Sequence, residues 1–133
     1  MINPYLFVYG TLLSAAGHPM GAKLAGAARL IGPASIQGRL YRIAWYPGVV
    51  DSPDPGQRVW GELYLLADPR AALAWLDHYE GVEPGREPAE YLRVERPVKP
   101  ATGPEVTAWV YLYLRDAADL TPIVGGRWIG SGK

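Results

Sequence analysis

The chain has 133 residues, 49% of them apolar, and its 13 basic side chains cancel 13 acidic ones. That length suits one domain burying about two thirds of its unfolded surface, and the apolar content argues against disorder. Zero net charge weighs against a nucleic-acid partner gripped through its phosphates, and the lack of cysteine removes disulfides, thiolate metal sites and a cysteine nucleophile together.

Met1-Ile2-Asn3-Pro4 lacks the charged and apolar regions of a signal peptide, and the longest apolar run, Trp109 to Leu114, is far short of a membrane span. The expectation is a soluble, cytoplasmic protein, folded as a single domain over residues 1–133. Its 16 glycines and 13 prolines are spread along the chain and mark turns between short elements, not a linker.

Tyr5 to Tyr9 reads as a buried first strand closed by Gly10. Met20 to Ala28 suggests a short helix, and Arg29 to Ile43, broken at Gly32-Pro33 and Gly38, a long bent strand or two strands. Tyr46-Pro47-Gly48 reads as a turn, Val49-Val50-Asp51 as a brief strand and Ser52 to Gly56 as a strong turn. Val59 to Leu66 alternates as a strand should.

Asp68 as N-cap, Pro69 in the first turn and Gly81 just past the end then bound a helix. Val82 to Glu90 is a polar, proline-bearing loop, followed by strands over Tyr91 to Val98 and Val106 to Leu114. The glycine-rich tail has Trp128 as its anchor. Many strands and one clear helix, not in strict alternation, predict an α+β fold: a small closed or half-closed mixed β-barrel that hides its sheet edges, with two or three flanking helices.

On a helical projection, Ala72, Leu73, Trp75, Leu76 and Tyr79 span an apolar arc of roughly 160°, and Glu80 falls inside it, while Arg70, Ala74 and His78 face water. A glutamate at a helix C-terminus also sits at the unfavourable end of the dipole. Partial burial would raise its pKa toward neutrality, as a proton shuttle requires. The ordinary alternative is a solvated glutamate in a frayed last turn. Asp77, at the polar edge of the arc, reads as solvated or as an orienting partner before it reads as a second carboxylate.

Tyr9-Gly10-Thr11-Leu12 ends a strand at a glycine, where successive N–H groups lose their ladder partners and can form an anion-binding nest. Gly10 permits positive φ and close approach to the backbone. By itself the segment reads as a strand ending in a turn before it reads as a nest. His18 and His78 lack carboxylate or cysteine neighbours at ligand spacing, so no metal is expected. GxGxxG, GxxxxGK[ST] and GxSxG are all absent. Arg39-Leu40-Tyr41-Arg42 reads as a barrel strand before it reads as an RNA platform.

Taken in order, Phe7-Val8-Tyr9-Gly10-Thr11-Leu12, Gly38-Arg39-Leu40-Tyr41, Tyr46-Pro47-Gly48-Val49, Val59-Trp60-Gly61-Glu62-Leu63-Tyr64, Leu76-Asp77-His78-Tyr79-Glu80-Gly81, Tyr91-Leu92-Arg93 and Ala108-Trp109-Val110-Tyr111 form a series. This series resembles the γ-glutamylcyclotransferase-like family, in its small bacterial and γ-glutamylamine-cyclotransferase-like branch, from about residue 5 to residue 128.

The resemblance implies a small barrel with a lateral cavity. It implies that Tyr9, Gly10, Thr11 and Leu12 bind the α-carboxylate end of a γ-glutamyl group through backbone amides, that Glu80 is catalytic, and that Tyr91 lines the cavity. Where the family often shows Gly-Asp-Trp, this chain has Gly126-Arg127-Trp128, so contacts of the C-terminal segment do not carry over.

The chemistry implied is cyclisation of a small-molecule γ-glutamyl substrate to 5-oxoproline, with Glu80 as general acid/base and no cofactor, nucleic acid or membrane involved. The leaving amine would be selected by walls drawn from Trp45-Tyr46, the Val82-to-Glu90 loop and the C-terminus. Two other readings remain beside it: a catalytically silent ligand-binding module of the same fold, and an RNA-binding barrel with a basic face.

Overall fold

The computed structural model describes residues 2–82 and 89–129. Its strands are β1 (Tyr5–Val8), β2 (Ala28–Gln37), β3 (Arg39–Arg42), β4 (Pro47–Val50), β5 (Arg58–Leu66), β6 (Tyr91–Pro100), β7 (Val106–Tyr113) and β8 (Thr121–Pro122). Two α-helices join them, α1 (Pro19–Ala27) and α2 (Pro69–Glu80), with a 3-10 turn at Ser14–Ala16. Residues 83–88 of the expected polar loop lie outside the described residues.

All eight strands belong to one sheet, in the order β1-β5-β2-β6-β7-β4-β3-β8, and a further pairing of β1 with β7 closes the first five into a barrel. Most pairings are antiparallel; the β1–β7 closure at Leu6↔Trp109 and the β4–β7 junction at Val49↔Leu112 are parallel. The expected mixed barrel is therefore closed, with β4, β3 and β8 extending from its β7 side.

The apolar run at β1 follows from burial on both faces. Phe7 points into the barrel with Ile36, Val59, Leu63 and Val110, while Leu6 and Val8 pack outward against Leu24 of α1 and Leu73 and Leu76 of α2. In α2, Ala72, Leu73 and Leu76 are buried and Arg70, Ala74 and His78 are exposed, as the projection requires. Asp68 accepts from the Ala71 N–H at 3.3 Å, and Gly81 takes the left-handed conformation at φ 76°, which a glycine adopts without steric penalty.

Several boundaries differ from expectation. The first helix runs from Pro19, with His18 Nδ1 accepting from the Met20 N–H at 3.1 Å, and stops before Ala28, whose extended backbone opens β2. The long stretch after it divides at Gly38 into β2 and β3. Pro47 and Gly48 are not a turn: they pair with Arg42 and Tyr41 as the start of β4. Proline is tolerated there because the first residue of a strand can forgo its donor. Among the described residues, no helix is long and apolar enough to cross a membrane.

Candidate functional site

A cavity of about 250 Å³ opens where the end of β1, the β3–β4 turn, the end of α2 and the adjoining ends of β6 and β7 converge. Tyr9, Gly10, Thr11 and Leu12 form one wall, Tyr79 and Glu80 another, and Trp45, Tyr46 and Pro47 the rim; Glu90, Tyr91 and Tyr111 complete the lining. The six site residues that the resemblance implied, Glu80 and Tyr91 with the four at 9–12, therefore line one space.

The wall after β1 is a tight turn closed by the Leu13 N–H on the Gly10 carbonyl at 3.0 Å. Gly10, Thr11 and Leu12 are buried, yet among the described residues their N–H groups meet no protein acceptor. Nearly all buried amides in proteins are paired, so three in succession form an acceptor-seeking surface.

Gly10 does not use the positive φ that glycine permits, since it is not among the left-handed glycines. It is needed for proximity, because a Cβ there would lie 2.7 Å from Pro47 Cγ and 2.8 Å from Cδ. Pro47 is itself held by the Tyr91 hydroxyl, which donates to its carbonyl at 2.7 Å.

The hydroxyls around the cavity are committed to the scaffold. Tyr9 Oη donates to the Tyr111 carbonyl at 2.7 Å and accepts from the Val49 N–H at 3.3 Å. Thr11 Oγ1 and Tyr79 Oη share a hydrogen bond of 2.7 Å. Tyr46 Oη donates to the Glu90 carboxylate at 2.8 Å, and burial with that contact pushes the Tyr46 phenol up to about 12. Burial and neighbouring negative charge raise Tyr9, Tyr91 and Tyr111 still further, so all three stay neutral donors.

Among the described residues, Glu80 is the carboxylate whose proton affinity is brought to neutrality. Burial first, then the negative charges of Glu90 and Asp77, push its carboxyl up to about 7. Asp77 plays a different part: Arg93 grips it with Nε at 2.7 Å and Nη2 at 3.0 Å, and Tyr111 Oη donates to it at 2.7 Å. These bonds show a carboxylate held by protein groups, not the solvated side chain that was one of the three alternatives the sequence allowed.

Of the C-terminal segment, neither Arg127 nor Trp128 lines this cavity, and residues 130–133 lie outside the described residues. Trp128 is buried in the barrel core instead, with the Arg42 guanidinium 4.7 Å from its ring centroid. Tyr111 was not singled out for a role from the sequence, although the alternation Trp109, Tyr111, Tyr113 along β7 already placed three aromatic rings on one face. Among the described residues, no three His, Asp or Glu side chains converge as metal ligands would.

Comparison with known proteins bears on the same residues. The family model described as Gamma-glutamyl cyclotransferase, AIG2-like, matches residues 6–130. The "Gamma-glutamylcyclotransferase family protein ytfP" of Citrobacter rodentium is 34% identical over 128 residues, covering 93% of this chain and 94% of its own. The solution structure of ytfP from Escherichia coli has a TM-score of 0.63 at 31% identity, with 97% of this chain and 99% of that one covered.

YkqA from Bacillus subtilis has a TM-score of 0.72 at 24% identity over 96% of this chain, a likeness of fold alone, and this chain spans 40% of its length. With the family model matched from β1 through the C-terminal segment and a full-length relative above 30% identity, the chain belongs to the gamma-glutamyl cyclotransferase, AIG2-like family.

Proposed function

We propose that this protein cyclises a γ-glutamyl amine or γ-glutamyl amino acid to 5-oxoproline and releases the free amine, with Glu80 as general acid/base. The observation that carries the reading is the pairing of Glu80, its carboxyl at about 7, with three buried acceptor-seeking amides at Gly10, Thr11 and Leu12 around one cavity.

In this scheme the amides hold the substrate α-carboxylate, with Tyr91 as part of the substrate wall. The Glu80 carboxylate takes a proton from the substrate α-ammonium, and the freed nitrogen attacks the γ-carbonyl carbon. A carbon–nitrogen bond forms within the five-membered ring and the bond to the departing amine breaks. Two protons leave the attacking nitrogen and two reach the leaving nitrogen, with Glu80 carrying them in turn, so substrate and products balance. Folding the two reacting ends of one molecule together supplies proximity that a bimolecular aminolysis lacks.

Incubation with a panel of γ-glutamyl amines, γ-glutamyl amino acids and glutathione, followed by assay of 5-oxoproline, tests the class. Glu80→Gln keeps the shape but cannot accept the proton, so turnover should fall by about 10² or more with folding intact. Near-normal turnover in that variant removes Glu80 from the chemistry. Tight binding of a panel member without product would assign the protein to ligand binding instead.

A further inference from the structure

One turn of helix before Glu80, a cluster of side chains is committed to Asp77, and the chemistry above makes no use of it. Arg93 and Tyr111 stand directly opposite each other in the β6–β7 ladder, and both reach the same carboxylate. The guanidinium binds it as a fork, at 2.7 Å and 3.0 Å, and the Tyr111 hydroxyl adds a third bond at 2.7 Å. Trp109 backs the guanidinium at 4.3 Å, its own Nε1–H donating to the Asn3 carbonyl at 2.8 Å. The main chain of Asp77 is committed too, since its carbonyl accepts from the Val82 N–H at 2.8 Å and closes the helix beyond Glu80.

Residues three apart on a helix share a face, so whatever holds Asp77 fixes the turn that presents Glu80. An exposed ion pair would do this weakly, but here both side chains are about four-fifths covered and the bond is a charge-assisted fork. We propose that Asp77, Arg93 and Tyr111 form a positioning clamp that sets both the place and the proton affinity of Glu80.

Among the described residues, the charges that act on Glu80 are Asp77 on its own helix and Glu90 ahead of β6; the phenols Tyr9, Tyr91 and Tyr111, from the end of β1, β6 and β7, are neutral. Among the same residues, Arg93 reaches this group through Asp77, and Arg115, 3.9 Å from the Glu90 carboxylate, reaches it through Glu90. With the Arg93 guanidinium in place the charge of Asp77 is largely offset; without it, two carboxylates would confront each other across one helical turn.

The activity arm of the test rests on the cyclisation reading; the titration arm does not. In full-length protein labelled with ¹³C-carboxyl glutamate, the Glu80 resonance is assigned by its loss in Glu80→Gln and followed against pH. Arg93→Met should move the Glu80 midpoint up by on the order of one pH unit, and Asp77→Asn should move it down by a similar amount. Tyr111→Phe keeps every charge, so its midpoint should hold while kcat for 5-oxoproline formation falls about tenfold at unchanged KM.

Arg93→Lys keeps the charge and loses the fork, predicting a wild-type midpoint with reduced kcat. It also serves if Arg93→Met fails to fold. Unmoved midpoints in folded Asp77→Asn and Arg93→Met overturn the electrostatic half, and a wild-type kcat in Arg93→Lys overturns the positioning half. Shifted midpoints in a protein that yields no 5-oxoproline would sink the cyclisation reading and leave the clamp standing.

Discussion

Thr11 Oγ1 and Tyr79 Oη lie 2.7 Å apart, which ties the turn whose amides meet no acceptor among the described residues to the helical turn that carries Glu80. The two walls of the cavity are thus held at a fixed separation by a bond made by neither the amides nor Glu80. Thr11→Val keeps the side-chain shape and removes that bond. It should cost about 0.5–1.5 kcal/mol of stability and lower kcat/KM about tenfold, whereas Thr11→Ser should retain both, as measured by denaturant unfolding and steady-state rates.

In the proposed reaction the Glu80 carboxylate accepts the proton, so kcat/KM should rise with pH along a limb of unit slope with its midpoint near 7. A limb centred near the ordinary glutamate value of 4.5 would mean that the group limiting the reaction is not this buried carboxyl.

The same carboxyl makes the fold pH-dependent. Its pKa is about 7 when folded against an ordinary 4.5, so between these values the native state binds more protons than the unfolded chain. Stability contributed at this site is therefore full below about 4.5 and declines as pH rises through about 7. Glu80→Gln cannot ionise. Its stability should match wild type at pH 4 and exceed it by up to roughly 3 kcal/mol at pH 8, in urea titrations at both values. A difference that does not change with pH would show that Glu80 is well solvated.

Two glycine-to-alanine changes should act in opposite directions. Gly10→Ala drives a methyl into the Pro47 ring, which Tyr91 holds in place, and should destabilise by about 1–3 kcal/mol while impairing activity. Gly26 in α1 has nothing within 4 Å of an added Cβ, so Gly26→Ala should stabilise by about 0.5–1 kcal/mol. Thermal unfolding of the two variants beside wild type measures both.

Tyr9→Phe removes a hydroxyl that serves as donor to the Tyr111 carbonyl and acceptor for the Val49 N–H, both in the interior. Leaving those groups unpartnered should cost about 1–3 kcal/mol in denaturant unfolding. A neutral effect would indicate that water replaces the phenol.

Much of this was legible in the sequence where the determining forces are local. The boundaries of α2 follow from Asp68, Pro69 and Gly81, each acting on backbone groups within a few residues, and the inward direction of Glu80 follows from helix geometry. The strand divided at Gly38 was only half legible, because a glycine within an extended run marks either a bend or a break, and pairing with β5 or β4 decides which. Pro47 misled because its turn propensity was overridden by ladder partners Arg42 and Leu112-bearing β7 on either side of β4.

By itself the sequence determined the mixed strand-rich class, the capped helix and the residues that could meet at a site. These rest on side-chain periodicity and short-range hydrogen bonds, which act along the chain. Only the tertiary structure decided that the barrel closes through the Leu6↔Trp109 pairing, that Gly10 is required by Pro47 and not by its own φ, and that Glu80 lies within range of both Glu90 and an Asp77 held by Arg93. Each joins residues far apart in the chain, and contact, close approach and Coulomb interaction depend on distance in space, which spacing along a sequence does not set.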